Sequence, residues 1–314
     1  MSTDFSNPIF HDADKARVWL EARIWPNGAI CPHCGVVGQA TLMKGKTTRP
    51  GLYQCNSCRE PFTVTVGTLY ERSKIPLNKW LAATHLMMAS KKGMSALQVG
   101  RMLGISKKTA WFLCHRIRES LINTDLAPMG GTGKVIEIDE TYVGGKEKNK
   151  HANKRLNAGR GAVGKAPVVS LVERNGNVRS MHLPEVSGKT LRPVLEQHIN
   201  KRSYLMTDDA RVYPPVTSDF AGHGTVNHSA GEYVRDKFWH TNTVENYFSI
   251  LKRGIVGTFH HVSQQHLKRY VAEFDYRYNE REGRGVNDAE RMEKSIHGIV
   301  GKRLTYRRTR EAQV

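Results

Sequence analysis

The amino-acid sequence predicts a multidomain α/β protein, an N-terminal zinc ribbon and helix-turn-helix followed by a mixed-sheet domain. Three observations predict it. Two Cys-x2-Cys pairs are separated by a spacer of twenty residues, a basic helical hairpin follows them, and after a Gly-rich linker a run of strands gives way to helices. At 314 residues the chain has room for two or three domains. Its 39% hydrophobic and 25% charged residues are those of an ordinary globular protein. No run approaches the ~18 apolar residues of a membrane span, and the N-terminus lacks a signal-peptide pattern. A cytoplasmic protein without a membrane partner is therefore expected. Lysine and arginine outnumber the acids 48 to 29, a net charge of +19, which points to a polyanionic partner, nucleic acid first.

Residues 1–25 read as a helical lead-in and residues 26–70 as the ribbon. Cys31, Cys34, Cys55 and Cys58 have the spacing at which two short turns meet around one tetrahedral ion. Thiolates are soft ligands that suit Zn2+, and four protein ligands leave no position for water, so one structural ion is expected. His33 reads as a bystander. Leu52–Cys55 and Pro61–Val66 read as strands entering and leaving the second knuckle. Residues 76–123 form the helix-turn-helix region. A helix over Leu77–Lys92 closes at Gly93, a short helix covers Ser95–Leu103, and Gly104-Ile105-Ser106 is a turn with a serine N-cap for a helix over Lys107–Leu121. On that last helix Ala110, Leu113, Cys114, Ile117 and Leu121 form the inward stripe. Lys107, Lys108, Thr109, Trp111, His115, Arg116 and Arg118 fall on the more exposed faces, with Lys107, Lys108 and Arg116 as DNA contacts.

Residues 124–133 are a linker, and the next domain spans 134–285. Val135–Val143 alternates as a strand, Pro167–Arg174 and Asn177–Leu183 pair across an Asn175-Gly176 turn, and Ser187–Asn200 has helical spacing. Tyr204–Met206 is a short strand, Gly224–His228 a further candidate, and Thr243–Lys252 a helix. This order matches an RNase H-like mixed-sheet fold. There the first and fourth strands are neighbours, so Asp139 and Asp208 face each other while the helix brings Glu245 over them. Carboxylate oxygens are hard ligands that suit Mg2+ or Mn2+. Two such ions about 4 Å apart hold the attacking and leaving oxygens of an in-line phosphoryl displacement, so the expected chemistry is phosphodiester cleavage and strand transfer. Strand alternation turns Glu140 and Asp209 away and puts Glu137 on the face of Asp139.

The segments IEIDETYVGGK (136–146), MTDDARVY (206–213), HTNTVENYFSILKRGIVGTFHHVS (240–263) and RYVAEFDYRYNER (269–281) resemble bacterial insertion-sequence transposases that join a zinc-ribbon N-terminus to an ISXO-like DDE domain. The two knuckles, the FTVTVGTLYERSKIPLNKW stretch and the helix-turn-helix extend the resemblance over nearly the whole chain. It implies Asp139 and Asp208 as metal-binding carboxylates of a catalytic domain, with Asn242 or Glu245 as the third residue. Glu245 is favoured because Lys252, two helical turns later, projects from the same face and could hold a phosphate beside the metals. The implied protein is a DNA transposase acting on double-stranded element ends and target DNA, as a homo-oligomer on paired ends. Two alternatives belong to other classes: a zinc-ribbon DNA-binding regulator with an inactive or reused catalytic domain, and a nuclease of the same fold that does not rejoin.

Further basic positions complete the expected DNA surface. Residues 144–165 read as a mobile loop whose Lys148, Lys150, Lys154 and Arg155 close on phosphates, with Lys252 and Arg253 on the later helix. Residues 286–314 read as a basic C-terminal tail.

Overall fold

A computed structural model of the chain describes residues 5–124, 126–145, 147–156, 162–227, 234 and 238–306, with Lys154 described by its backbone alone. The chain forms two compact units, Met1–Ile122 with Gly285–Val314, and Asn123–Arg284.

The first unit opens with α1 (Ala13–Ile24), whose N-cap Asp12 accepts from the backbone N–H groups of Asp14 and Lys15. The ribbon is a small antiparallel sheet of β1 (Ala40–Leu42), β2 (Tyr53–Cys55) and β3 (Pro61–Phe62), in that order. Trp25 packs edge-on against Tyr53 and Phe62, with ring centroids 5.4 and 5.7 Å away. The strand expected over Pro61–Val66 ends at Phe62, because Val66 N–H turns back to the Thr63 carbonyl instead of pairing across a sheet. Helix α2 (Leu77–Ala89) buries Trp80, Leu81, Met87 and Met88. The helical pair follows as α3 (Ala96–Leu103) and α4 (Lys107–Ser120), capped by Ser95 and Ser106. Gly104 between them adopts φ 61°, the left-handed conformation that suits glycine at the end of a helix.

The second unit holds a five-stranded sheet in the order β6-β5-β4-β7-β8. Its strands are β4 (Val135–Val143), β5 (Ala166–Glu173), β6 (Val178–His182), β7 (Tyr204–Asp208) and β8 (Gly222–Val226). Strands β4, β5 and β6 pair antiparallel in turn, β5 and β6 being joined across Asn175-Gly176, where Asn175 has φ 59°. Strands β4, β7 and β8 run parallel. One face of the sheet, with Ile136, Ile138, Val169, Leu171 and Leu205, packs on α5 (Gly188–His198) and on Tyr213 and Val216, at the short helix α6 (Pro214–Thr217). The other face, with Val168, Val172 and Val178, packs on α7 (Asn242–Gly254) and α8 (Gln264–Asn279) through Val244, Tyr247, Leu251, Leu267 and Phe274. This is the mixed sheet with helices on both faces that an RNase H-like domain requires. The expected strand over Gly224–His228 begins earlier, at Gly222; His228 lies outside the described residues.

After Gly285 the chain re-enters the first unit, where a basic tail had been expected from residue 286. Helix α9 (Asp288–His297), closed by an Asn287/Glu290 capping box, buries Met292 and Ile296 and packs on α2. Arg291 donates to the Met88 carbonyl at 2.9 Å, and the ammonium of Lys302 donates to the Glu119 and Ser120 carbonyls that end α4. The apolar spacing within residues 288–299 accounts for this burial. Residues 307–314, the end of the expected tail, lie outside the described residues. Among the described residues, no helix is long and apolar enough to cross a membrane.

Candidate active site and metal centre

In the ribbon, Cys31, Cys34, Cys55 and Cys58 bring their sulfurs within 4.8 Å of one another. Cys31 lies 3.6 Å from Cys58, and Cys34 lies 3.6 Å from Cys55. A tetrahedral zinc with ~2.3 Å bonds to sulfur requires edges of about 3.8 Å, so the four thiols fit the ion with little adjustment. The backbone N–H groups of Cys58 and Ser57 draw the Cys55 thiol down to about 6, while burial and the neighbouring thiols hold Cys34 and Cys58 above their ordinary value, as crowded sulfurs require. His33 is exposed and stands outside this group.

In the second unit the acids gather where the strand register puts them. Glu137 on β4 pairs with Met206 on β7, and the same parallel register carried two residues further sets Asp139 beside Asp208. Both lie on the α7 face of the sheet, since Ile136 and Ile138 occupy the α5 face. Glu245 stands in the first turn of α7, its carboxylate accepting from the Thr241 hydroxyl at 3.1 Å. Burial raises the Asp139 carboxyl to about 7, and the neighbouring charges of Glu140, Asp208 and Glu245 push it the same way. Asp139 accepts from the Glu140 N–H at 2.7 Å, and Asp208 from the Ala210 N–H at 3.1 Å. Carboxylates gathered in a half-buried place are hard donors that would suit a divalent cation. Among the described residues, the four cysteines are the group gathered closely enough to hold a metal ion as they stand.

Around these acids the structure adds partners that periodicity did not reveal. Glu140 points to the α5 face, as alternation requires, yet its carboxylate accepts from the buried Tyr213 hydroxyl and its proton is held more tightly through burial and the Asp208 charge. Glu137 is fully buried and takes donors from the start of α7. Asp209 is exposed. Asn242, at the first position of α7, is exposed, as are Lys252 and Arg253 in its last turn. The Lys252 ammonium lies 5.9 Å from the Phe248 ring centre, while Arg253 donates to the Ser249 carbonyl.

The expected DNA contacts divide. Lys107 and Lys108 are exposed at the start of α4, Lys108 resting 4.9 Å from the Tyr306 ring centre. Arg116 is buried, a correction to its expected exposure. Its guanidinium donates to the Glu71 carbonyl at 2.7 Å and lies over the Trp80 and Phe112 rings. His115 and Arg118 are buried as well. The reason is that α4 is enclosed on more than one side, by α2, α3 and α9, so the stripe Ala110, Leu113, Cys114, Ile117 accounts for only part of its buried surface. In the loop after β4, Glu147 organises two short 3-10 turns, pairing with Lys150 and accepting from the Leu156 N–H. Arg155 donates to the Lys148 and Lys150 carbonyls. The Lys154 side chain, Lys146 and residues 157–161 lie outside the described residues.

A mixed sheet of this order, with acids on its two central parallel strands and on the helix across them, defines an RNase H-like domain. An ISXO2-like transposase domain matches residues 130–279, and a transposase zinc-ribbon domain matches residues 12–60. The chain belongs to the insertion-sequence transposases that combine these two domains. It is 28% identical over 263 residues to an uncharacterized protein in transposable element ISH50 of Halobacterium salinarum, covering 81% of this chain and 86% of that protein. An uncharacterized transposase-like protein of Haemophilus influenzae is 25% identical over 105 residues, 33% of this chain and 83% of its own length. A simian T-cell lymphotropic virus intasome in complex with PP2A regulatory subunit B56 gamma gives a TM-score of 0.28 at 13% identity. That match covers 57% of this chain and 63% of the other, under two thirds of its length, and is too distant to carry a comparison.

Proposed function

We propose that this transposase binds the ends of its insertion sequence and catalyses metal-dependent DNA cleavage and strand transfer, with Asp139, Asp208 and Glu245 as the carboxylates of the reaction. The observation that carries the reading is the acid set itself: Asp139 and Asp208 on adjacent strands, with the Glu245 charge close enough to raise Asp139. Bound Mg2+ or Mn2+, two ions in the full site, would neutralise the phosphodiester and lower the cost of forming an oxygen nucleophile. The three carboxylates hold the donor oxygens at fixed places and exclude other cations by hardness. Asn242 stands one turn before Glu245 and is the other candidate for the third position. Lys252 sits two turns beyond Glu245 on the same helix and supplies a cation for a DNA phosphate. Lys107 and Lys108 at the start of α4, and in the other unit Arg253 and the Lys148, Lys150, Lys154 and Arg155 loop, are further contacts for element ends and target DNA. Paired ends call for a homo-oligomer on DNA, and nucleoid DNA in the cytoplasm is the substrate.

A two-plasmid transposition assay tests this, with a marker between the gene's own flanking ends and either wild-type protein or Asp139→Asn supplied separately. The expected result is insertions with short flanking duplications for wild type alone. Cleaved but unjoined ends would instead identify a nuclease. Joining retained in Asp139→Asn would refute the carboxylate assignment.

A further inference from the structure

Glu137 is a charged group placed where charge is costly. Its side chain is 0% exposed on the middle of β4, between the apolar Ile136 and Ile138. Burying an ionised carboxylate without compensation costs several kcal/mol, so the donors it collects explain why it is tolerated. One oxygen accepts from the backbone N–H groups of Thr243 and Val244, at 2.8 and 3.0 Å. The other accepts from the Thr243 hydroxyl at 2.9 Å and the Arg174 guanidinium at 2.7 Å, with the His240 ring nitrogen 3.3 Å away.

These N–H groups are the unpaired donors that open α7. The N-cap residue Thr241 makes no side-chain cap of its own. Glu137 therefore caps the helix from another strand, where the positive end of the helix dipole also favours a carboxylate. Arg174 completes the clamp: it bonds Glu137 with one nitrogen and the Phe238 and His240 carbonyls with its others, at 2.8 and 2.9 Å. The chain entering α7 is thus tied to β4 two residues before Asp139. Glu245 follows Thr243 and Val244 on the same first turn.

We infer that Glu137 is a positioning residue, whose buried carboxylate docks the start of α7 onto β4 and so sets Glu245 at a fixed place over Asp139. This rests on the proposed carboxylate site. The Gln variant keeps the volume but puts an amide donor where Arg174 or the α7 N–H groups already donate, so the dock loosens without opening a cavity.

The test is a double-mutant cycle in Mn2+ affinity, read from the free-Mn2+ resonance in titrations of the zinc-loaded full chain without DNA. Glu137→Gln should weaken Mn2+ binding about ten-fold, the scale of losing a group that orients a ligand. In a Glu245→Ala background the same change should weaken it no further, because the residue it places is gone. Equal losses in both backgrounds would make Glu137 a structural residue and overturn the inference, as would unchanged affinity in the single variant. Asp139→Ala is the separate control: if it leaves Mn2+ binding intact, the carboxylate site itself fails. If it abolishes binding while the cycle is additive, only the role of Glu137 fails. Should Glu137→Gln not fold, Thr243→Val, which removes one donor and keeps the backbone, is put through the same cycle with an expected loss of about three-fold.

Discussion

Replacing Asp139 with asparagine should make the magnesium-free protein more stable at pH 8. Burial and the surrounding acids raise this carboxyl from 3.8 to about 7. The folded state therefore binds the proton more tightly than the unfolded chain. The contribution to stability is neutral below the unfolded value, becomes unfavourable as pH rises past it, and is complete above about 7. At ~1.36 kcal/mol per pH step, the interval amounts to about 4 kcal/mol at pH 8. Asparagine removes that charge and keeps the bond from the Glu140 N–H, but its buried amide costs about 1–2 kcal/mol. The net gain is about 2–3 kcal/mol at pH 8. At pH 5 the wild-type cost is only about 1.6 kcal/mol, so the gain falls to about zero. Urea unfolding of zinc-loaded wild type and Asp139→Asn, in magnesium-free buffer at both pH values, measures this. Equal stability at pH 8, or a gain that persists at pH 5, would refute the charge argument. Saturating Mg2+ should erase the pH 8 difference by stabilising wild type alone.

Other expectations concern the first unit. Cys55→Ser should reduce bound zinc from one equivalent per chain to none, measured by atomic absorption, and the ribbon amides should lose hydrogen-exchange protection. Arg116→Ala should lower stability by about 2–3 kcal/mol, because it leaves the Glu71 carbonyl without its donor and empties the space over Trp80 and Phe112. Lys107→Ala and Lys108→Ala should leave stability unchanged and each reduce the salt slope of end binding by about 1, read by fluorescence anisotropy. Truncation at Arg284 removes α9 and the Lys302 contacts to the end of α4, so hydrogen exchange in α2 and α4 should accelerate.

The legible parts of the fold are those with local signals. The alternation of Val135–Val143 delimits β4, the Asn-Gly pair locates the β5–β6 turn, and Ser106 caps the helix that follows it, while Ser95 and Ser187, read as first helical residues, stand one position before their helices as caps. Asp139 and Asp208 could be set on neighbouring strands in advance because the element order matches an RNase H-like fold, in which the first and fourth strands are adjacent, as β4 and β7 are. What periodicity misses depends on contacts between distant segments. Arg116 and Arg118 look exposed on a helical wheel, but residues almost two hundred positions later return to cover their helix. Glu137 reads as one more polar position on a strand until α7 arrives with its unpaired N–H groups. The Tyr213 bond to Glu140 likewise joins elements that sequence separates. A signal was available for Glu137: a carboxylate flanked by isoleucines on a strand buried on both faces must find donors somewhere.

The charge pattern explains why such a site would depend on added cations. The chain as a whole carries +19, which draws in a polyanion, yet the place of the proposed chemistry is a cluster of acids that repels one. Beyond burial, Asp139 feels Glu140, Asp208 and Glu245 as like charges and Glu140 feels Asp208, and a phosphodiester brought among them would add to that repulsion. Protonation is one release, which burial of Asp139 already favours, but a proton would occupy the donor oxygens that the proposed reaction needs. Divalent cations relieve the same repulsion while keeping the carboxylates ionised. On the proposed mechanism the basic residues and the acidic centre would act in sequence: the first would concentrate DNA without regard to cations, and the second would admit the scissile phosphate only with its cations in place. Raising Mg2+ should therefore weaken DNA binding slightly by screening and strengthen cleavage steeply. If both were to fall together, the acids would be acting through something other than metal.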